Sequence, residues 1–128
     1  MGFEGFKQLY QNKKEFNIVL LLRDSAKNRE MFSDYLNDSS VKIVWGDLCD
    51  FDSVLKCVTG ADIVLHVGGL VSPAADYFPL KTQEVNVKAM QNIVDAVKAQ
   101  PDPDSIKVVY IGTVAQTGDR NPPIHWGR

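Results

Sequence analysis

Four short apolar runs, separated by stretches of helical periodicity, constrain this 128-residue chain more than any other feature of its sequence. The first, residues 17–22 (NIVLLL), is continuous rather than alternating, which is how a strand buried on both faces reads. Residues 41–45 (VKIVW), 63–67 (IVLHV) and 106–111 (IKVVYI) follow, each rich in β-branched side chains and bounded by Gly, Asp or Ser. Between them the apolar spacing changes to three and four. Phe3, Phe6, Leu9 and Tyr10 predict a helix to about residue 14, and further helices are expected at about 26–36 and, with Asp50 as cap, about 51–58. The longest, at about 80–99, sets Val85, Ala89, Ile93 and Val97 on one face and is stopped by Pro101 and Pro103. Residues 114–128 read as a loop or tail.

Each strand must cross back over the sheet to lie parallel to its predecessor. The alternation therefore predicts an α/β fold, a Rossmann-like doubly wound parallel sheet, in one domain covering residues 1–128. A 45% hydrophobic and 23% charged composition fits a single packed core. No uninterrupted apolar run approaches about 18 residues and the start carries no secretory pattern, so a soluble, cytoplasmic protein without a membrane partner is expected. The formal net charge is −2 and the longest positive run is Lys13-Lys14, which leaves nucleic-acid binding without an electrostatic basis. Cys49 and Cys57 are too few for a metal site and are expected as reduced thiols.

In a doubly wound sheet, ligands bind beyond the carboxyl ends of the strands. The residues there are Arg23-Asp24, Gly46-Asp47-Leu48, Gly68-Gly69 and Gly112-Thr113. His66, alone inside an apolar strand, reads as a core residue rather than a base.

Four stretches in order, VLLLRD, VWGDLCDFDSVLKCVTGADIVLHVGG, NVKAMQNIVDAVKA and VVYIGTVAQTGD, make the chain resemble the extended short-chain dehydrogenase/reductases, the NAD-dependent epimerase/dehydratase group. That family opens with a strand and a GxxGxxG turn that seats a pyrophosphate on a helix N-terminus. Gly2 matches the last glycine of that turn, with Gly5 the weaker match. The resemblance thus implies a chain that begins inside the cofactor motif, without the family's first strand. By the resemblance the catalytic Tyr-x-x-x-Lys would lie beyond Arg128; within the chain that spacing occurs at Tyr10–Lys14 and Tyr77–Lys81, both of which precede Thr113.

By the same resemblance Arg23 stands where the family discriminates cofactors, and a cation there favours a 2′-phosphate, so NADP is expected, with NAD the alternative. Asp47 and Leu48 match adenine contacts, Gly68 and Gly69 let the backbone approach the cofactor, and Asn86 ties the long helix to the loops beside the site. Thr113 matches the catalytic Ser or Thr whose hydroxyl donates to a substrate oxygen. Each position also has a local reading: a solvated Arg beside Asp24, an Asp bonding its own backbone, ordinary turn glycines, a solvated helix Asn, and a β-branched strand end.

Gly112 for a second Ser, Thr117 for an aromatic and two glycines for two alanines depart from the family pattern. The implied parent is an epimerase, dehydratase or reductase moving a hydride to or from a sugar-nucleotide-like or other carbonyl or alcohol substrate. The fragment itself is expected to be inactive, and a non-catalytic nucleotide-binding or protein-interaction module is the other reading. In the family's strand order the missing strand separates the 17–22 run from the 63–67 run, so those two edges are expected either to pair or to recruit another chain, giving a homodimer.

Overall fold

The computed structural model describes residues 2–70 and 73–112. Its elements run α1 (Gly2–Gln11), β1 (Ile18–Leu22), α2 (Ala26–Met31), a 3₁₀ turn (Ser33–Tyr35), β2 (Val41–Trp45), α3 (Phe51–Val58), β3 (Ile63–His66), α4 (Ala74–Tyr77), α5 (Pro79–Lys98), a second 3₁₀ turn (Pro103–Ser105) and β4 (Lys107–Tyr110). All four expected strands form. They pair as two parallel ladders, β1 with β2 and β3 with β4, and no ladder joins β1 to β3. Of the two expected fates for those edges, direct pairing does not occur among the described residues.

Period-two alternation sends successive side chains of β1 to opposite faces. Ile18, Leu20 and Leu22, with Val41 and Ile43 of β2, meet the first core, formed by Phe3, Phe6, Leu9 and Tyr10 of α1 with Phe32 and Tyr35. Leu21 points the other way, into a second core of Val54 and Val58 from α3 and Ile93 and Ala96 from α5. Val64 of β3 joins that second core, so one layer of α3 and α5 spans both strand pairs. Burying each such aliphatic side chain contributes about 1.5–3 kcal/mol, which is why α3 and α5 hold the halves together without a shared ladder.

Two boundaries shift for visible reasons. The first helix stops at Gln11 and residues 12–15 turn, with Lys13 drawn to the Tyr10 hydroxyl and to Asp38, which also accepts from the Tyr10 hydroxyl. The expected 26–36 helix breaks after Met31, because Phe32 and Tyr35 enter the aromatic cluster and pack edge-on against Phe3 and Phe6 respectively, at ring-centroid distances of 5.2 and 4.8 Å. Asp50 does occupy the cap position of α3. Its carboxylate, however, accepts from the Ser53 hydroxyl at 2.6 Å rather than from a backbone amide. Gly60, at φ +78, gives the left-handed turn that frees the chain to enter β3. The short α4 carries no sequence periodicity and was not expected.

Candidate functional site

Leu22 pairs with Trp45 across the first ladder, and the Gly46 amide donates to the Leu22 carbonyl at 2.9 Å. Arg23 and Asp47 therefore leave the same end of the sheet on neighbouring strands. A Cβ on Gly46 would stand 2.6 Å from the Ser53 Cβ and 3.3 Å from Leu21, so only glycine lets α3 begin this close to the strand end.

The next residues fold back on themselves. Asp47 Oδ1 accepts from the Cys49 amide at 2.8 Å, an Asx turn that is the local reading of this Asp. The turn carries Leu48 across to β3: a Cβ on Gly68 would lie 2.6 Å from Leu48 Cδ1. Burial, followed by the Asp47 charge, pushes the Cys49 thiol pKa up, so this cysteine is held as the neutral thiol.

Asn92 of α5 donates to the Leu48 carbonyl at 2.8 Å and is itself buried. Sequence reasoning passed over it. Its signal was a polar side chain on an otherwise apolar row, three residues after Ala89 and four before Ala96.

Asn86, one helical turn and a half earlier, makes a two-sided clamp. Its Oδ1 accepts from the Leu70 amide at 2.8 Å and its Nδ2 donates to the Leu70 carbonyl at 3.1 Å. A Cβ on Gly69 would sit 3.2 Å from Asn86 Oδ1, so the glycine permits the clamp to close. Asn86 thereby ties the long helix to the loop at Leu70. Gly2 opens α1 where an added Cβ would be 3.2 Å from Val67 Cγ2, setting the helix start against the end of β3.

Gly2, Leu48, Gly68, Gly69 and Asn86 are thus linked into one patch at the carboxyl end of β3, with Arg23 and Asp47 on the neighbouring strand ends. The glycines Gly68 and Gly69 are filled against by Leu48 and Asn86 of the chain itself. Arg23 is exposed and joins no ion pair among the described residues. Its neighbour Asp24 is held by Arg29, which donates from Nε at 2.5 Å and from Nη2 at 2.8 Å. Thr113 lies outside the described residues. His66, 5% exposed, packs 5.7 Å from the Tyr110 ring, and burial lowers its pKa, in keeping with a core residue.

Among the described residues no three His, Cys, Asp or Glu side chains gather as a metal site, and no helix is long and apolar enough to cross a membrane.

Residues 6–126 match the model of the NAD dependent epimerase/dehydratase family. The UDP-glucose 4-epimerase of Rickettsia prowazekii (strain Madrid E) is 29% identical over 80 residues, which are 62% of this chain and 23% of that protein. An uncharacterized protein, 052L, of Frog virus 3 (isolate Goorha) is 29% identical over 93 residues, 66% of this chain and 26% of that protein. The chain thus spans about a quarter of the length of the curated relatives it matches. Among solved structures, one described as "X-ray structure of Pen from Bacillus thuringiensis" superposes with a TM-score of 0.73 at 22% identity, covering 91% of this chain and 36% of that one. That likeness concerns the fold, and it bears out the Rossmann-like α/β reading.

Proposed function

The chain belongs to the NAD dependent epimerase/dehydratase family, and from that membership we propose that it is the NADP(H)-binding part of an epimerase, dehydratase or reductase acting on a sugar nucleotide or a similarly polar carbonyl or alcohol substrate. Hydride exchange between a substrate carbon and the nicotinamide is the chemistry such a dinucleotide supplies. The observation that carries the reading is the convergence of strand ends: Leu48 reaches from β2 to Gly68 beyond β3, with Arg23 and Asp47 beside it.

On this reading Arg23 meets a 2′-phosphate, Asp47 accepts from the adenine amine, and Leu48 lies against the ring. Gly2, Gly68 and Gly69 keep the backbone low at the strand ends, Asn86 fixes the loop at Leu70, and Thr113 donates a hydrogen bond to a substrate oxygen. The match to a UDP-glucose 4-epimerase supports the substrate class. The test is a thermal-shift titration of the polypeptide with NADPH and NADH. At a hundredfold excess over the dissociation constant a ligand stabilises by about 2.7 kcal/mol, so an upward shift with NADPH is the expected result and no shift with either nucleotide overturns the reading. A polypeptide of these 128 residues should turn over neither nucleotide, since its two Tyr-x-x-x-Lys spacings, Tyr10–Lys14 and Tyr77–Lys81, both precede Thr113, whereas the family's catalytic pair is expected after it. Saturable binding without turnover in the natural protein would favour a non-catalytic nucleotide-binding module.

A homodimer is the second reading. β1 and β3 each carry a ladder on one side only among the described residues, and such edges invite pairing. Light scattering distinguishes a dimer from a monomer directly.

A further inference from the structure

Asp24 follows Arg23 at the end of β1, which is an awkward place for a carboxylate if the neighbouring arginine is to meet a phosphate. An open carboxylate would repel that phosphate and would instead suit a free ribose hydroxyl. The structure removes both properties at once. Arg29 grips both oxygens of Asp24 in a side-on fork, from Nε to Oδ1 at 2.5 Å and from Nη2 to Oδ2 at 2.8 Å. Its guanidinium also stacks on the Trp45 ring, 4.5 Å from the centroid, and Trp45 is the last residue of β2. The loop between is pinned as well. Asn28 donates to the Arg23 carbonyl at 2.8 Å, and its amide bonds the Ser25 hydroxyl at 3.1 Å. Arg23, by contrast, forms no ion pair among the described residues.

We propose that Arg29, braced by Trp45, is a positioning residue for cofactor choice: by occupying and neutralising Asp24 it leaves Arg23 as the uncompensated charge at the strand end, so that the site selects a 2′-phosphorylated adenosine over one with a free 2′-hydroxyl. The inference rests on the NADP(H) reading above. Arg29 acts through Asp24 and does not itself touch the nucleotide. The pair is exposed, so its work lies in charge placement and geometry more than in fold stability.

The experiment uses isothermal titration of the whole 128-residue chain with adenosine 2′,5′-bisphosphate and with adenosine 5′-monophosphate, two probes that need no pyrophosphate turn. The unsubstituted chain should favour the bisphosphate. Arg29→Met, which keeps apolar contact with Trp45 but frees Asp24, should cut that preference about tenfold, the size of one unscreened charge against a dianion at close range. Arg29→Met combined with Asp24→Asn should restore it, because the repelling charge has then gone as well. An unchanged preference in Arg29→Met overturns the proposal. So does a double variant that stays impaired, since Arg29 would then be a direct phosphate ligand. A chain that binds both probes without preference overturns the inference while leaving nucleotide binding standing, whereas a chain that binds neither overturns the nucleotide reading itself and this inference with it.

Discussion

In the β1–β2 pair, Ile18 and Val41 are each 7% exposed beneath the aromatic side chains of α1, and Leu21 meets α3 on the other face. In the β3–β4 pair, Val64 is packed under α3 and α5, yet Ile63, Leu65 and Val67 on the opposite face are 53%, 49% and 50% exposed. The two pairs come from apolar runs of the same kind and length. Their difference teaches that a continuous apolar run specifies a strand able to be covered twice, while the covering itself depends on which helices pack there. α1 supplies that cover for the first pair, through Phe3, Phe6 and Tyr10 closing with Phe32 and Tyr35 into one cluster.

The comparison breaks most readily at Phe6, which is 4% exposed at the centre of that cluster. Phe6→Ala should cost about 3–5 kcal/mol in urea-induced unfolding, the range for a buried aromatic whose neighbours cannot collapse into the gap. A loss below about 1 kcal/mol would mean that α1 does not cover the first pair in solution. Next in size is Gly46→Ala. The new methyl would meet the Ser53 Cβ at 2.6 Å, an atom next to the backbone that cannot swing aside, so α3 must shift and about 1–3 kcal/mol should be lost. Gly68→Ala meets only the flexible tip of Leu48 and should be milder in stability while disturbing the site.

Smaller, and specific to the second pair, is a pH effect. Burial lowers the pKa of His66 in the folded chain below the unfolded value of about 6.5. The unfolded chain then binds more protons between those two values, so stability rises with pH across that window and is lost as pH falls from about 6.5 downward. Unfolding free energy should therefore decline between pH 7 and 5, and His66→Phe should flatten the decline. Asp38 works in a separate window. Hydrogen bonds from Ser40, first, and Tyr10 hold its carboxyl below the usual carboxylate range, so its contribution is present above about pH 3.9 and disappears only in stronger acid.

Strands, the long helix and the order of elements were legible in the sequence because each is written in local periodicity. Residues 79–98 form a helix where 80–99 was expected, and Asn86 sits where it can tie that helix to a loop. The pairing of strands was not legible. The missing family strand marked where a gap between β1 and β3 could fall, but whether those edges meet across it depends on long-range packing, here the bridging of the two pairs by α3 and α5. The same holds for Arg29, whose place over Trp45 joins residues sixteen apart in the chain on two elements. Asn92 was missed for a different reason. A single polar residue on an apolar helix row reads as noise until its partner, the Leu48 carbonyl, is seen 44 residues away.

Val64 and Leu65 turn the comparison between pairs into one between neighbours on a single strand. Val64→Ala removes two methyl groups from the core under α3 and α5, and should cost about 1–2 kcal/mol. Leu65→Thr replaces an apolar side chain that is half exposed with a β-branched polar one, and should stay within about 0.5 kcal/mol, as surface substitutions do. If Leu65→Thr instead costs as much as Val64→Ala, that face is covered in solution by a second copy of the chain. The melting temperature must then rise with protein concentration, because association with the folded form stabilises it by mass action. A small cost with a concentration-independent melting temperature leaves β3–β4 as a strand pair covered on one face, and the difference between the two pairs as a property of the isolated chain.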